Sequence, residues 1–96
     1  MTFEDDLENS LKTYESLIRG FAARTREMIN RDGRVEALSR LVLSANLQNG
    51  FKILRDKDML YFTFEAVITR HKYLFTAEAL EAATWRLEHA SNLPNK

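Results

Sequence analysis

The stretch FKILRDKDMLYFTFEAVITRHKYLF, from Phe51 to Phe75, decides the fold. It is crowded with β-branched and aromatic residues, among them Ile53, Tyr61, Phe62, Thr63, Phe64, Val67, Ile68, Thr69 and Tyr73, and Ala66 is its one small strong helix former. Such side chains suit a pleated, half-buried surface, so the local preference is strand. Phe51 to Arg55 and Met59 to Val67 are predicted to pair as a hairpin about the charged turn Asp56-Lys57-Asp58. Alternation then places Leu60, Phe62 and Phe64 on one face and Tyr61, Thr63 and Glu65 on the other, and a short third strand follows at Lys72 to Phe75. A helix from Asp58 is the alternative, because Leu60, Phe64, Val67, His71 and Leu74 also satisfy three-four spacing.

The flanks on both sides read as helix. Downstream, Thr76 is placed to cap a helix over Ala77 to Ala90, which Asn92-Leu93-Pro94 closes. Steps of 100° put Ala79, Leu80, Ala83, Leu87 and Ala90 on its inner face. Trp85 falls opposite, beside Glu78, Glu81, Ala82 and His89. A large aromatic on a polar helix face favours association, although a long neighbouring helix would cover it equally well. Upstream, a helix from Arg34 to about Asn49 turns Val35, Leu38, Leu41, Val42 and Ala45 inward, with Leu47-Gln48-Asn49-Gly50 as its C-terminal stop.

The N-terminal segment predicts one long helix over residues 3–30. Phe3, Leu7, Leu11, Tyr14, Ile18, Phe21 and Met28 share a stripe whose remaining slot is Thr25. Thr2 is the cap, Glu4, Asp5 and Asp6 suit the positive end of the helix dipole, and Gly33 suits the left-handed position that ends a helix. At 1.5 Å per residue this helix would be about 42 Å long, whereas a compact chain of this size is only about 32 Å across. It must overhang, bend near Gly20, or pack against a second copy. A homodimer through Leu11, Tyr14, Ile18, Phe21 and Met28 is the most economical of the three, because the stripe follows a 3.5-residue repeat. The fold class expected is therefore α+β, mainly helical: a long N-terminal helix, a second helix, a short antiparallel β-hairpin or three-stranded sheet, and a C-terminal helix. An all-α four-helix domain is the alternative.

Length and composition narrow the functions. Ninety-six residues make a single domain over 1–96. The absence of cysteine excludes disulfides, thiolate metal sites and cysteine nucleophiles, and it fits a reducing compartment. The acidic N-terminus has neither the basic flank nor the apolar core of a signal peptide, and the longest apolar run, Met59 to Phe62, is too short to span a bilayer. A cytoplasmic protein without membrane contact is expected.

Site chemistry is sparse. His71 and His89 are the only histidines and belong to no His-Glu-x-x-His or Glu-x-x-His pattern, so no metal is predicted. No serine sits in a Gly-x-Ser-x-Gly elbow, and three isolated glycines make no phosphate cradle, so neither catalytic residues nor cofactors are assigned. Carboxylate pairs such as Asp56/Asp58 and Glu78/Glu81 read as a turn and a solvated helix face.

Nucleic acid is the alternative partner. Arg19, Arg24, Arg26, Arg31, Arg34 and Arg40 make residues 19–40 locally basic, although the whole chain balances fourteen bases against fourteen acids. Glu8/Lys12, Glu15/Arg19, Glu27/Arg31 and Glu36/Arg40 have the favourable i to i+4 order. Arg24, Arg26 and Arg34 remain as the candidate phosphate contacts.

The run Thr63-Phe64-Glu65-Ala66-Val67-Ile68, with Lys72-Tyr73, Leu80 and His89, resembles the central part of the small Hha/YmoA family of nucleoid modulators. The likeness covers about 27 residues, needs the all-helical form of the middle, leaves the first 60 without a counterpart and has Glu88 where an aspartate is expected. It is too short a match to place the chain in that family. What it implies is a nucleoid-associated protein as partner. The reading expected overall is a non-enzymatic protein-protein interaction factor, a small regulator, inhibitor or adaptor, that meets an unidentified protein through Trp85, Glu78, Glu81, His89 and Tyr61.

Overall fold

Thr63 overturns the strand reading of the middle. Its backbone is extended (φ −74°, ψ 156°) and its hydroxyl oxygen accepts the amide hydrogen of Ala66 at 3.1 Å, which is an N-cap. The computed structural model describes residues 1–93 and contains six α-helices: α1 (Phe3–Ile18), α2 (Ala23–Asp32), α3 (Arg34–Leu43), α4 (Asn49–Asp56), α5 (Phe64–Arg70) and α6 (Ala77–Glu88). Single 3-10 turns cover Leu60–Phe62, Lys72–Leu74 and Ala90–Asn92. No strand occurs among the described residues, so the α+β class with its hairpin or three-stranded sheet is wrong and the all-α alternative fits.

The cause of that correction is burial on several sides at once. Val67 and Ile68 are completely buried, and α5 is packed against α1, α3 and α6 together. A short central helix that is covered all round collects the same apolar residues as a strand, and tertiary packing then outweighs propensity. Phe51 to Arg55 belongs to α4, where Phe51 and Leu54 face inward. Asp56 ends α4 and Lys57-Asp58 form a turn, with Asp58 at φ 59°, which leads from that helix into a 3-10 turn and not between two strands. The third strand, Lys72 to Phe75, is a 3-10 turn and its following residue.

Two helix boundaries also move. Residues 3–30 are not one helix: Arg19 adopts the left-handed conformation (φ 53°) and the chain reverses before α2. The shortened α1 is about 24 Å long and lies within a body of 28 × 28 × 25 Å. The helix-length mismatch behind the homodimer reading is therefore absent. Likewise α3 stops at Leu43, and Asn49-Gly50 begin α4 instead of ending the second helix.

The other signals stand. Thr2 accepts from the Asp5 amide at 3.2 Å and Thr76 from the Ala79 amide at 3.2 Å. Gly33 ends α2 as expected, its amide closing on the Ile29 carbonyl at 2.8 Å, but at φ 91° and ψ 157° it lies outside the left-handed helical region and leads directly into α3. The expected stop at Pro94 lies outside the described residues. Leu7 and Leu11 of α1, Leu38 and Val42 of α3, Val67 and Ile68 of α5 and Ala79 and Ala83 of α6 form the core.

Candidate functional site

The outer face of α6 carries the most defined exposed group. Trp85 is 51% exposed and lies parallel to His89, with ring centroids 4.3 Å apart and an interplanar angle of 19°. Their four-residue spacing makes them helix neighbours, and the His89 Nδ1 is 2.8 Å from the Trp85 carbonyl oxygen, so the imidazole is fixed beneath the indole. Glu78 and Glu81 are exposed on the same face. Beside Trp85 runs an open groove lined by Val42, Leu47, Lys52, Ala82 and Leu93.

The residue after Trp85 points the other way. Arg86 is buried, and its guanidinium donates to the Glu65 Oε2 at 3.0 Å, the Leu41 carbonyl at 3.3 Å and the Ser44 carbonyl at 2.6 Å. It thus satisfies carbonyls at the end of α3, which that helix cannot satisfy itself. Burial pushes the Glu65 carboxyl above the ordinary glutamate value, against the opposing pull of Arg86. The sequence signal for Arg86 was its place seven residues after Ala79, on the stripe that turns inward.

Tyr61 belongs to a second patch. The Arg70 guanidinium sits 3.9 Å from the centre of its ring. Arg70 also grips Asp6 with two bonds of 2.8 Å, and the His71 Nε2 is 2.9 Å from the same carboxylate. Phe3 and Tyr73 lie against the His71 ring, with centroids at 5.4 and 6.1 Å. The bond from Arg70, joined by that from His71, holds the Asp6 carboxyl below the ordinary aspartate value despite burial. His71 is buried and faces Asp6, so this cluster ties α1 to α5 and presents the rings of Tyr61 and Tyr73 to solvent.

No known family, curated protein or solved structure matches this chain.

The candidate phosphate contacts differ among themselves. Arg26, folded back by the reversal at Arg19, meets Glu15 through two bonds of 2.8 Å and Glu8 at 3.0 and 3.2 Å, and these carboxylates raise its pKa further. Arg34 pairs with Glu4 at 3.6 Å, Arg31 with Asp32, and Arg40 with Asp32 and Glu36. Arg24 is exposed and has no ion pair among the described residues. Of the four i to i+4 pairs anticipated, Glu36 with Arg40 is formed at 3.4 Å.

The dimer stripe is divided too. Leu11 is buried in the core, Tyr14 and Met28 are half-buried, and Ile18 and Phe21 are 38% and 68% exposed. Among the described residues no three His, Asp or Glu side chains are grouped so as to hold a metal ion, and no helix is long and apolar enough to cross a membrane.

Proposed function

We propose that the chain is a non-enzymatic protein-binding factor, a cytoplasmic regulator, inhibitor or adaptor, that docks its partner on α6 around Trp85. The observation that carries this reading is the half-exposed indole held flat on His89 at the edge of a groove lined mainly by apolar residues, with Lys52 in its wall. Tryptophan is the residue most enriched where binding energy concentrates, and an indole already held in place loses little freedom on docking. Glu78 and Glu81 flank it, so the complementary surface offers an apolar side chain for the groove and positive charge for the carboxylates. The buried Arg86 bonds anchor this stretch of α6 to α3 and α5, which keeps the face rigid.

Self-association is the form in which the dimer reading continues, now built on Ile18 and Phe21 at the α1–α2 turn. Nucleic-acid binding through Arg24, Arg26 and Arg34 is the weaker alternative, because Arg26 and Arg34 already face carboxylates. Capture from native lysate with wild type and Trp85→Ala, each with and without nuclease, separates these readings. A stoichiometric protein that survives nuclease and is lost with Trp85→Ala, while the variant keeps its helicity and melting temperature, is the expected result. Retention by Trp85→Ala, or loss on nuclease treatment alone, overturns it.

A further inference from the structure

Helix α2 is attached to the rest of the molecule in an unusual way. None of its residues is buried. It is joined at one end by the left-handed Arg19 and at the other by Gly33, and Arg26 latches it to α1 through Glu8 and Glu15. Beneath it lies a cleft of about 330 Å³ that reaches α1, α4 and α5. This is within the lower range of small-molecule sites.

The walls of the cleft are mainly apolar, with Ser10, Thr25, Gln48 and Asn49 among them, and its charges are separated. Leu11, Met28, Phe51, Leu54 and Phe64 line it, with the Tyr14 ring packed beside Gly50. At the rim stands Arg24, exposed and without an ion pair among the described residues, whereas Arg26, Arg31, Arg34 and Arg40 all have one. The lining carboxylate is Glu65, which is buried and bound to Arg86. An entering molecule therefore meets an unpaired cation outside and mainly apolar walls within, where the carboxylate of Glu65 is already matched by Arg86.

We infer that this cleft binds a small amphiphilic carboxylate of the medium-chain fatty acid kind, its carboxylate on Arg24 and its chain against Leu11, Met28, Phe51 and Phe64. Charge complementarity selects this occupant: one unpaired guanidinium suits one carboxylate, and guanidinium–carboxylate bonds are strong and directional. The apolar chain gains by leaving water. Because α2 has no fully buried side chain and is held by the Arg26 ion pairs and the half-buried Ile29, it is the wall that yields as the ligand enters. This inference is independent of the Trp85 face.

The test is a titration of the full chain with sodium decanoate, below its micelle concentration, followed by amide shifts in two-dimensional NMR. Saturable shifts confined to residues 10–14, 22–28 and 48–54 are expected. Arg24→Glu should weaken binding by about tenfold or more, and Met28→Trp, which fills the cleft, should abolish it. Lys72→Glu removes an exposed cation elsewhere and should change nothing, and 1-decanol should bind more weakly than decanoate. Both Arg24 and Met28 lie outside the core, so preserved spectral dispersion in the variants is expected. Non-saturable shifts, shifts spread to Tyr61 or Trp85, or equal affinities for Arg24→Glu and Lys72→Glu overturn the inference.

Discussion

Arg86 shows how a charge is tolerated in the interior of so small a chain. Removing a guanidinium from water is costly, and the cost is offset when its hydrogen-bonding positions are met by an anion and by carbonyls. Glu65, Leu41 and Ser44 supply these. Arg86→Met leaves the Glu65 carboxylate buried without its counter-ion, and a loss of about 3–5 kcal/mol in urea denaturation is expected. Glu65→Leu combined with Arg86→Met should recover part of that loss, and a double-variant loss equal to the sum of the Glu65→Leu and Arg86→Met losses would show that the pair is not coupled. Asp6 contributes to the response to acid, as do Glu8 and Glu15, whose carboxyls Arg26 holds below the ordinary glutamate value. The Asp6 carboxyl is held below the ordinary 3.8, chiefly by the bond from Arg70, so its contribution is present above that value and disappears as pH falls through the lower folded-state pKa. Glu65 acts oppositely: burial raises its pKa above 4.5, so its contribution is full below that value and is lost as pH rises through the folded-state pKa. Asp6→Asn should therefore be less stable than wild type near neutrality and lose less stability between about pH 6 and about pH 3. An identical acid slope in the variant would remove Asp6 from this role.

At the scale of elements, the junction between α2 and α3 rests on one backbone conformation. Gly33, at φ 91° and ψ 157°, occupies a region essentially closed to residues with a side chain, although nothing lies within 4 Å of where a Cβ would stand. Gly33→Ala is thus expected to cost about 1–3 kcal/mol through backbone strain alone. Gly20→Ala meets the Ile18 side chain no closer than 3.7 Å and should be close to neutral; thermal melts of the two variants make the comparison, and matching midpoints would mean that the junction relaxes. These elements also show where sequence is readable. Thr2 and Thr76 were legible as caps because a cap is a local bond spanning three residues. The reversal at Arg19 was legible only as one of three options, a bend near Gly20 demanded by the excess helix length, because Phe21, Thr25 and Met28 continue the stripe of α1 without a break in spacing. What stabilises the reversal is Arg26 returning to Glu8, eighteen positions back, which no helical periodicity encodes. The middle segment failed for a related reason: Val67 and Ile68 are β-branched yet buried on every side of a short helix. Of the candidate site, the Trp85–His89 stack was legible from its four-residue spacing. Asp6 with Arg70, 64 positions apart, was not.

For the whole molecule, the exposed apolar groups fall into separate places: Met1 at the N-terminus, Ile18 and Phe21 at the α1–α2 turn, Leu43 at the end of α3, Trp85 on α6, Tyr61 and Tyr73 around the Asp6 cluster, and Leu74 in the 3-10 turn before α6. The body is 28 × 28 × 25 Å, and most of the original dimer stripe is used internally or half-covered. A homodimer must then be built on the α1–α2 turn. Two exposed side chains with their surroundings bury less surface than the roughly 1,200–2,000 Å² of a stable interface. The dimer should accordingly be weak, with a mass by light scattering that rises with protein concentration. Phe21 is 68% exposed, so Phe21→Glu is expected to leave the melting temperature within about 0.5 kcal/mol equivalent of wild type. The same substitution should hold the mass at that of a monomer at every concentration, through charge repulsion and loss of the apolar contact. Capture by the Trp85 face should be unaffected, since the two patches lie on different elements. If wild type and Phe21→Glu have the same mass throughout, the turn is not an interface.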